Sequence, residues 1–231
     1  MASRINFKTI LAKYQNVGKG NVRLTQSTLF LTKPISPTTT VYNFDVLESQ
    51  TQTLENGEIR LNLNDEYIIT QIGFYLQGQV FVGGDVLIPT GKKVLLTYAP
   101  IQQNVTEGVK LASFYEGAFQ IAVNNIVYLD KYDTRKNEVQ PITNSQSLLV
   151  GTNSAMLDAA NFSENGLYGT EPLLTLSGAK KNNLQLTLPS AMDNAIFDYT
   201  DNAGQKFKIL VDRVALKFLG LNAQNGASFQ K

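Results

Sequence analysis

Residues Glu58 to Leu76 read EIRLNLNDEYIITQIGFYL, and this stretch decides the class of fold. Ile59, Leu61 and Leu63 alternate with Glu58, Arg60, Asn62 and Asn64, the period of a strand with one dry face and one wet face. Asn64-Asp65 supplies a turn. From Tyr67 to Leu76 the apolar residues then run almost without a break, as in a central strand buried on both faces. The same succession returns about 125 residues later, a spacing that suggests an internal repeat. Asn183 to Leu188 (NLQLTL) alternates, and Lys206 to Leu219 (KFKILVDRVALKFL) is a second long apolar strand, after an insertion from Pro189 to Gln205.

Other segments read as β too. Tyr42, Phe44 and Val46 alternate with polar neighbours, and Leu173–Leu176 is a short strand. Ala118 to Tyr128 (AFQIAVNNIVY) is a hairpin turning on Asn124-Asn125. Gly83-Gly84-Asp85 and Pro89 to Lys92 are turns, with short strands at Val86–Ile88 and Val94–Ala99. Two helices are expected: one between Ser3 and Val17, and one around Ser154–Ala160. The segment after Gly20, with Pro34 and Pro37, reads as an extended arm.

The chain has 231 residues and contains no His, no Cys and no Trp. Without Cys there is no disulfide, thiolate nucleophile or sulfur-based metal site; without His the commonest general base and metal ligand are missing. Ser–His–Asp and Cys–His triads are therefore excluded. Hydrophobic residues make up 43%, enough for a real core, but charged residues only 17%, below the usual ~25%. The surface must then be covered largely by neutral amides and hydroxyls, which meet little Coulombic penalty when packed against copies of themselves. No 18-residue apolar run is present, and MASRINFKTI lacks the apolar core of a signal peptide, so synthesis in a cytoplasm is expected.

Charge is distributed unevenly. Arg4, Lys8, Lys13, Lys19, Arg23 and Lys33 precede the first acid, Asp45; the remaining residues hold 14 basic and all 19 acidic side chains, a net of −5. Within the N-terminal helix, Phe7, Ile10, Leu11 and Tyr14 share a face. Such a helix suits either an anionic partner, with Arg4, Lys8 and Lys13 toward the charge and Ile10 and Leu11 toward lipid, or packing on the chain's own body.

Catalytic and metal signatures are weak. Gly18-Lys19 and Gly91-Lys92 lack the rest of a phosphate loop. The acid pairs Glu55/Glu58, Asp65/Glu66, Asp130/Asp133 and Asp198/Asp201 could in principle serve glycoside hydrolysis, but each falls in a turn or rim. No cofactor is expected; calcium is the one ion the oxygen-rich composition suits, with Asp198, Asp201 and Asn202 as candidate ligands in a turn. Aromatic residues are not interleaved with basic ones, so sequence-specific nucleic-acid recognition is not expected.

Three runs resemble coat proteins of bacteriophages from Bacteroidetes-type hosts: Gly57 to Gly73, Leu174 to Pro189 and Arg213 to Leu221. The resemblance implies a major capsid protein of a tailless icosahedral phage with an internal membrane, similar to the corticovirus-like group. It also implies two jelly rolls side by side, pseudo-hexagonal homotrimers tiling a virion shell, other virion proteins at the vertices, and no enzymatic activity. The expected organisation is an all-β chain with a basic arm over residues 1–38, a first jelly roll over 39–138 and a second over 139–231, split near Asp130–Ser147. A single jelly roll with an N-terminal arm is the alternative fold. A carbohydrate- or receptor-binding β-sandwich is the alternative function.

Overall fold

The computed structural model describes residues 10, 12, 14, 22–48, 57–83, 88–101, 103–139, 166–200 and 206–227. The chain is all-β as expected, with two sheets packed face to face. The larger is organised around β3 (Glu66–Val82) and β10 (Lys206–Gln224), which pair antiparallel from Glu66 opposite Ala223 to Val82 opposite Phe207. Different partners take the outer edges of this pair at its two ends. At one end β10 pairs with β1 (Arg23–Pro34) and β3 with β7 (Leu167–Ser177). At the other, β10 pairs with β9 (Ala195–Thr200) and β3 with β4 (Ile88–Leu96). The smaller sheet has the order β2 (Val41–Phe44), β8 (Asn182–Thr187), β5 (Ala118–Val123), β6 (Ile126–Asp133).

Leaving β4 and β9 aside as hairpin extensions, the orders are β1-β10-β3-β7 and β2-β8-β5-β6, and all connections except the β5–β6 hairpin cross between sheets. That is the strand order of one jelly roll. The expectation of two barrels split near Asp130–Ser147 is therefore corrected. The two long strands assigned to separate barrels are neighbours in one sheet, and one hydrophobic cluster draws on both halves of the chain. The repeated short-then-long pattern has a simpler origin. β3 and β10 are the central strands of one sheet and need similar sequences, whereas the alternating segments before them differ. Asn182–Thr187 is β8, while Glu58–Asn64, expected as a strand with Ile59, Leu61 and Leu63 on its dry face, forms only isolated bridges, with Leu61 and Glu58 buried and Ile59 and Leu63 exposed.

The expected boundary is itself knitted into the core. A 3-10 turn at Thr134–Asn137 follows β6, and both Thr134 and Asn137 are fully buried. The Thr134 hydroxyl accepts from the Gly117 N–H (3.0 Å) and lies 2.9 Å from the Phe114 carbonyl. Asn137 Nδ2 donates to the carbonyls of Ile72 (2.8 Å) and Gly166 (2.6 Å). The expected arm after Gly20 is likewise corrected, because residues 23–34 form β1 and bury Leu29 and Leu31 in the core. Pro34 ends β1, where its missing N–H leaves no gap in the ladder.

Between the sheets, Phe74 of β3 meets Phe119 of β5 edge-on at 5.0 Å and stacks with Tyr132 of β6 at 6.0 Å. The half of the β3–β10 pair flanked by β4 and β9 is closed by a helical segment. Helix α1 (Val105–Val109) leads into a 3-10 turn at Ala112–Glu116, which buries Phe114 and Tyr115. The Tyr115 hydroxyl lies 3.0 Å from the Leu96 carbonyl and 3.3 Å from that of Phe74, and burial raises its pKa far beyond the ordinary phenol value. It stays protonated and donating. The Asn124-Asn125 hairpin forms as expected, with φ of 49° and 66° at its two central residues, the signature of a type I′ turn. The helix expected around Ser154–Ala160 lies outside the described residues.

A shared core implies shared unfolding. Urea denaturation should give one cooperative transition, lowered by about 3–5 kcal/mol both by Phe74→Ala in the first half and by Phe218→Ala in the second. Far-UV circular dichroism and tyrosine fluorescence should trace the same curve. Two separable transitions, each moved by only one substitution, would contradict this architecture.

Candidate assembly surfaces

Every described member of the candidate acid pairs has a hydrogen-bond or ion-pair partner within the chain, from fully buried Glu66 to exposed Asp198. Glu58 is buried and accepts from Thr32 N–H and Oγ1 (both 2.9 Å), while its other oxygen pairs with Arg60 at 2.8 Å. Asp65 accepts from Asn222 Nδ2 and the Asn225 N–H, tying the β3 entrance to the end of β10. Asp130 accepts from Gln120, and Asp133 caps the Thr134–Asn137 turn through the Arg135 N–H. Asp198 faces Lys208 at 3.5 Å. Glu55, Asp201 and Asn202 lie outside the described residues, so of the calcium candidates only Asp198 is placed, and it sits beside a lysine. Among the described residues no three potential metal ligands gather.

The surfaces are more informative. Across the outward face of the smaller sheet runs a ladder of three amides ending on an acid: Asn43 on β2 opposite Gln185 on β8, which is opposite Gln120 on β5, bonded to Asp130 on β6. This is the amide-rich wet face that the composition suggests. At its margin, β6 is an edge strand that exposes three consecutive apolar side chains, Ile126 (59%), Val127 (49%) and Tyr128 (54%). Beyond them a register shift and a positive φ at Lys131 kink the strand. A long flat edge invites uncontrolled pairing, and a kink with a lysine limits the usable length.

A second apolar strip lies at the opposite end of the larger sheet. Asn104 caps α1 by accepting from the Glu107 N–H. Glu107 then holds Lys110 (2.6 Å) with one oxygen and the Ile196 N–H at the rim of β9 (2.8 Å) with the other. Gly108 packs against the Pro100–Ile101 backbone so closely that a Cβ would collide with it. The helix is thereby fixed with Val105 and Val109 exposed, and Ile101 and Ile196, on the two segments that Gly108 and Glu107 touch, are exposed as well. The sequence reading missed this element. Its signal was the Asn104-Val-Thr-Glu107 spacing of an N-cap followed by an acid at the third helical position.

The N-terminal segment is the third surface. Ile10, Ala12 and Tyr14 are helical, and Ile10 and Tyr14 are buried against Ile68 and Ala223, with Val22, Leu24 and Leu221 at the margin. The Tyr14 hydroxyl donates to Glu66 Oε2 at 2.6 Å, and Glu66 is completely buried on the outward face of β3. Burial first, and then this bond to the carboxylate, push the Tyr14 pKa well above the ordinary phenol value, so the hydroxyl keeps its proton. The expectation that Ile10 dips into lipid is corrected here: it packs on the chain's own sheet. Arg4, Lys8, Leu11 and Lys13 lie outside the described residues.

No helix among the described residues is long and apolar enough to cross a membrane. Compared with protein-family models, with curated proteins and with solved structures, the chain matches none.

The Glu107 contact makes a pH prediction. The hydrogen bond from Lys110, followed by that from the Ile196 N–H, holds the Glu107 carboxyl below its ordinary pKa. A depressed folded-state pKa stabilises above the unfolded value and is lost as pH falls through the folded one. Thermal melts between about pH 6 and 3 should show a loss of stability toward acid that is smaller in Glu107→Gln than in the parent chain. Parallel curves for the two would show that Glu107 carries none of it.

Proposed function

We propose that this chain is a structural subunit of a virus shell: a major capsid protein whose copies join into a homotrimer, with trimers tiling an icosahedral virion. The observation that carries the proposal is the β6 edge, where Ile126, Val127 and Tyr128 stand exposed together beside a face of neutral amides. Jelly rolls house both coat and lectin domains, so the fold alone carries only analogy. The exposed strip favours self-association over a soluble binding module, because open apolar edges on a low-charge surface are stable only when covered. The Val105–Val109 strip at the far end offers a second, separate contact, as a lattice needs beyond the contact that closes the trimer. The resemblance of Gly57–Gly73, Leu174–Pro189 and Arg213–Leu221 to phage coat proteins points the same way.

With one roll per chain the trimer presents three rolls rather than six. Within the shell the N-terminal segment faces inward, toward the internal membrane or the genome. Its contribution there is the charge of Arg4, Lys8 and Lys13, since Ile10 and Tyr14 are engaged with the body. Other virion proteins meet the shell at its vertices, and assembly takes place in the host bacterial cytoplasm.

Sedimentation over a concentration series tests the proposal. The parent chain should move from monomer to trimer. Ile126→Thr with Tyr128→Thr, or Val105→Ser with Val109→Ser, should weaken association while changing monomer stability by no more than about 0.5 kcal/mol per exposed site. A parent chain that stays monomeric at all concentrations and binds glycans would instead establish the carbohydrate-binding module.

A further inference from the structure

The seat of the N-terminal segment has features that a purely internal clamp does not need. It is built on the rigid β3–β10 pair: Leu24 of β1 lies opposite Ala223 of β10, which lies opposite Glu66 of β3. A Cβ at Gly220 would collide with the Ile68 carbonyl, so the two strands approach closely beneath the helix. From Val22, beside β1, back to this seat is about two strand spacings, or ~10 Å. Tyr14 and Val22 are separated by seven residues, among them Gly18 and Gly20, and eight Cα steps can span up to ~27 Å. That length of sequence could reach well beyond this path, and it joins the chain at β1, at the margin of the larger sheet.

Charge adds to this. The first 44 residues carry six positive charges and no acid, whereas the rest of the chain is net −5. The attraction that holds the segment on its own body acts equally on the body of a neighbour, and a segment that crosses ties two mutually repelling bodies together. The contacts made within one chain or between two are the same: Ile10 and Tyr14 against Ile68 and Ala223, and the Tyr14–Glu66 hydrogen bond. The choice between them then depends on connection length and local concentration, and high local concentration favours exchange.

We propose that the seat formed by Glu66, Ile68, Leu221 and Ala223 receives the N-terminal segment of a second copy of this chain when subunits assemble, so that neighbouring subunits are linked by exchanged arms. This rests on the coat-protein reading and names the partner of one of its surfaces. The occupant is a segment of the same protein, held by one apolar face and one tyrosine hydroxyl on a buried carboxylate.

The absence of cysteine makes the test direct. Two full-length chains, one carrying Ile10→Cys and the other Leu221→Cys, are mixed, assembled and treated with a short bifunctional maleimide. Each chain treated alone is the control for chance contacts. A product joining the two different chains should appear in the assembled fraction and be lost in the dilute monomer. The double variant on one chain should give only an internal link when dilute. Ala12→Cys, at a half-buried position, replaces Ile10→Cys if that variant fails to fold. Oligomers that form without any product between different chains would overturn arm exchange and leave the coat reading standing. A chain that never oligomerises would overturn both.

Discussion

The pairing of β3 with β10 is the constraint on which the rest of the structure depends. Each of these strands is paired along both edges over most of its length, one by the other and the second by two partners in succession. Because all the flanking strands hang from this pair, residues far apart in sequence are brought into one layer, and Phe74 and Phe218 contribute to the same core. The pair also overshoots the smaller sheet. That overshoot makes α1 and its neighbouring 3-10 turn necessary, since the apolar face of β3, β10, β4 and β9 beyond the smaller sheet needs another cover.

Sequence patterns recover the elements here better than their arrangement. Period-two alternation at Asn183–Leu188 and the apolar runs at Tyr67–Leu76 and Lys206–Leu219 correspond to β8, β3 and β10, and the Asn-Asn turn of the β5–β6 hairpin lies where its residue types require. What pairs with what is not written in period or polarity. Two long buried strands in one sheet and two in separate barrels have the same local pattern, because each only needs apolar residues on both faces. β1 escaped notice for a different reason. Its first half, Arg23 to Thr28, is polar and only partly buried, and just Leu29 to Thr32 enter the interior.

The interaction surfaces were legible in part. The amide-rich face follows directly from a composition low in charge, and the row of Asn43, Gln185 and Gln120 is its structural form. The amphipathic pattern of the N-terminal segment was visible, but the same face fits lipid or protein, and only the placement of Ile10 and Tyr14 on Ile68 and Ala223 decides between them for those residues. Glu66 gave no signal at all. A glutamate next to a turn looks solubilising until a tyrosine from 52 residues upstream covers it.

The first and last described strands, β1 and β10, are immediate neighbours, with Arg23 opposite Gln224. Strand order in space is therefore nearly indifferent to where the polypeptide is cut. A short bridge from the end of β10 to the start of β1 would stay at one pole of the sandwich. New ends opened at the Asn124-Asn125 tip, on the margin of the smaller sheet, would leave every sheet ladder with its present partners. The architecture is in this sense a closed ring of strands, and its linear order is one of several that would encode the same solid.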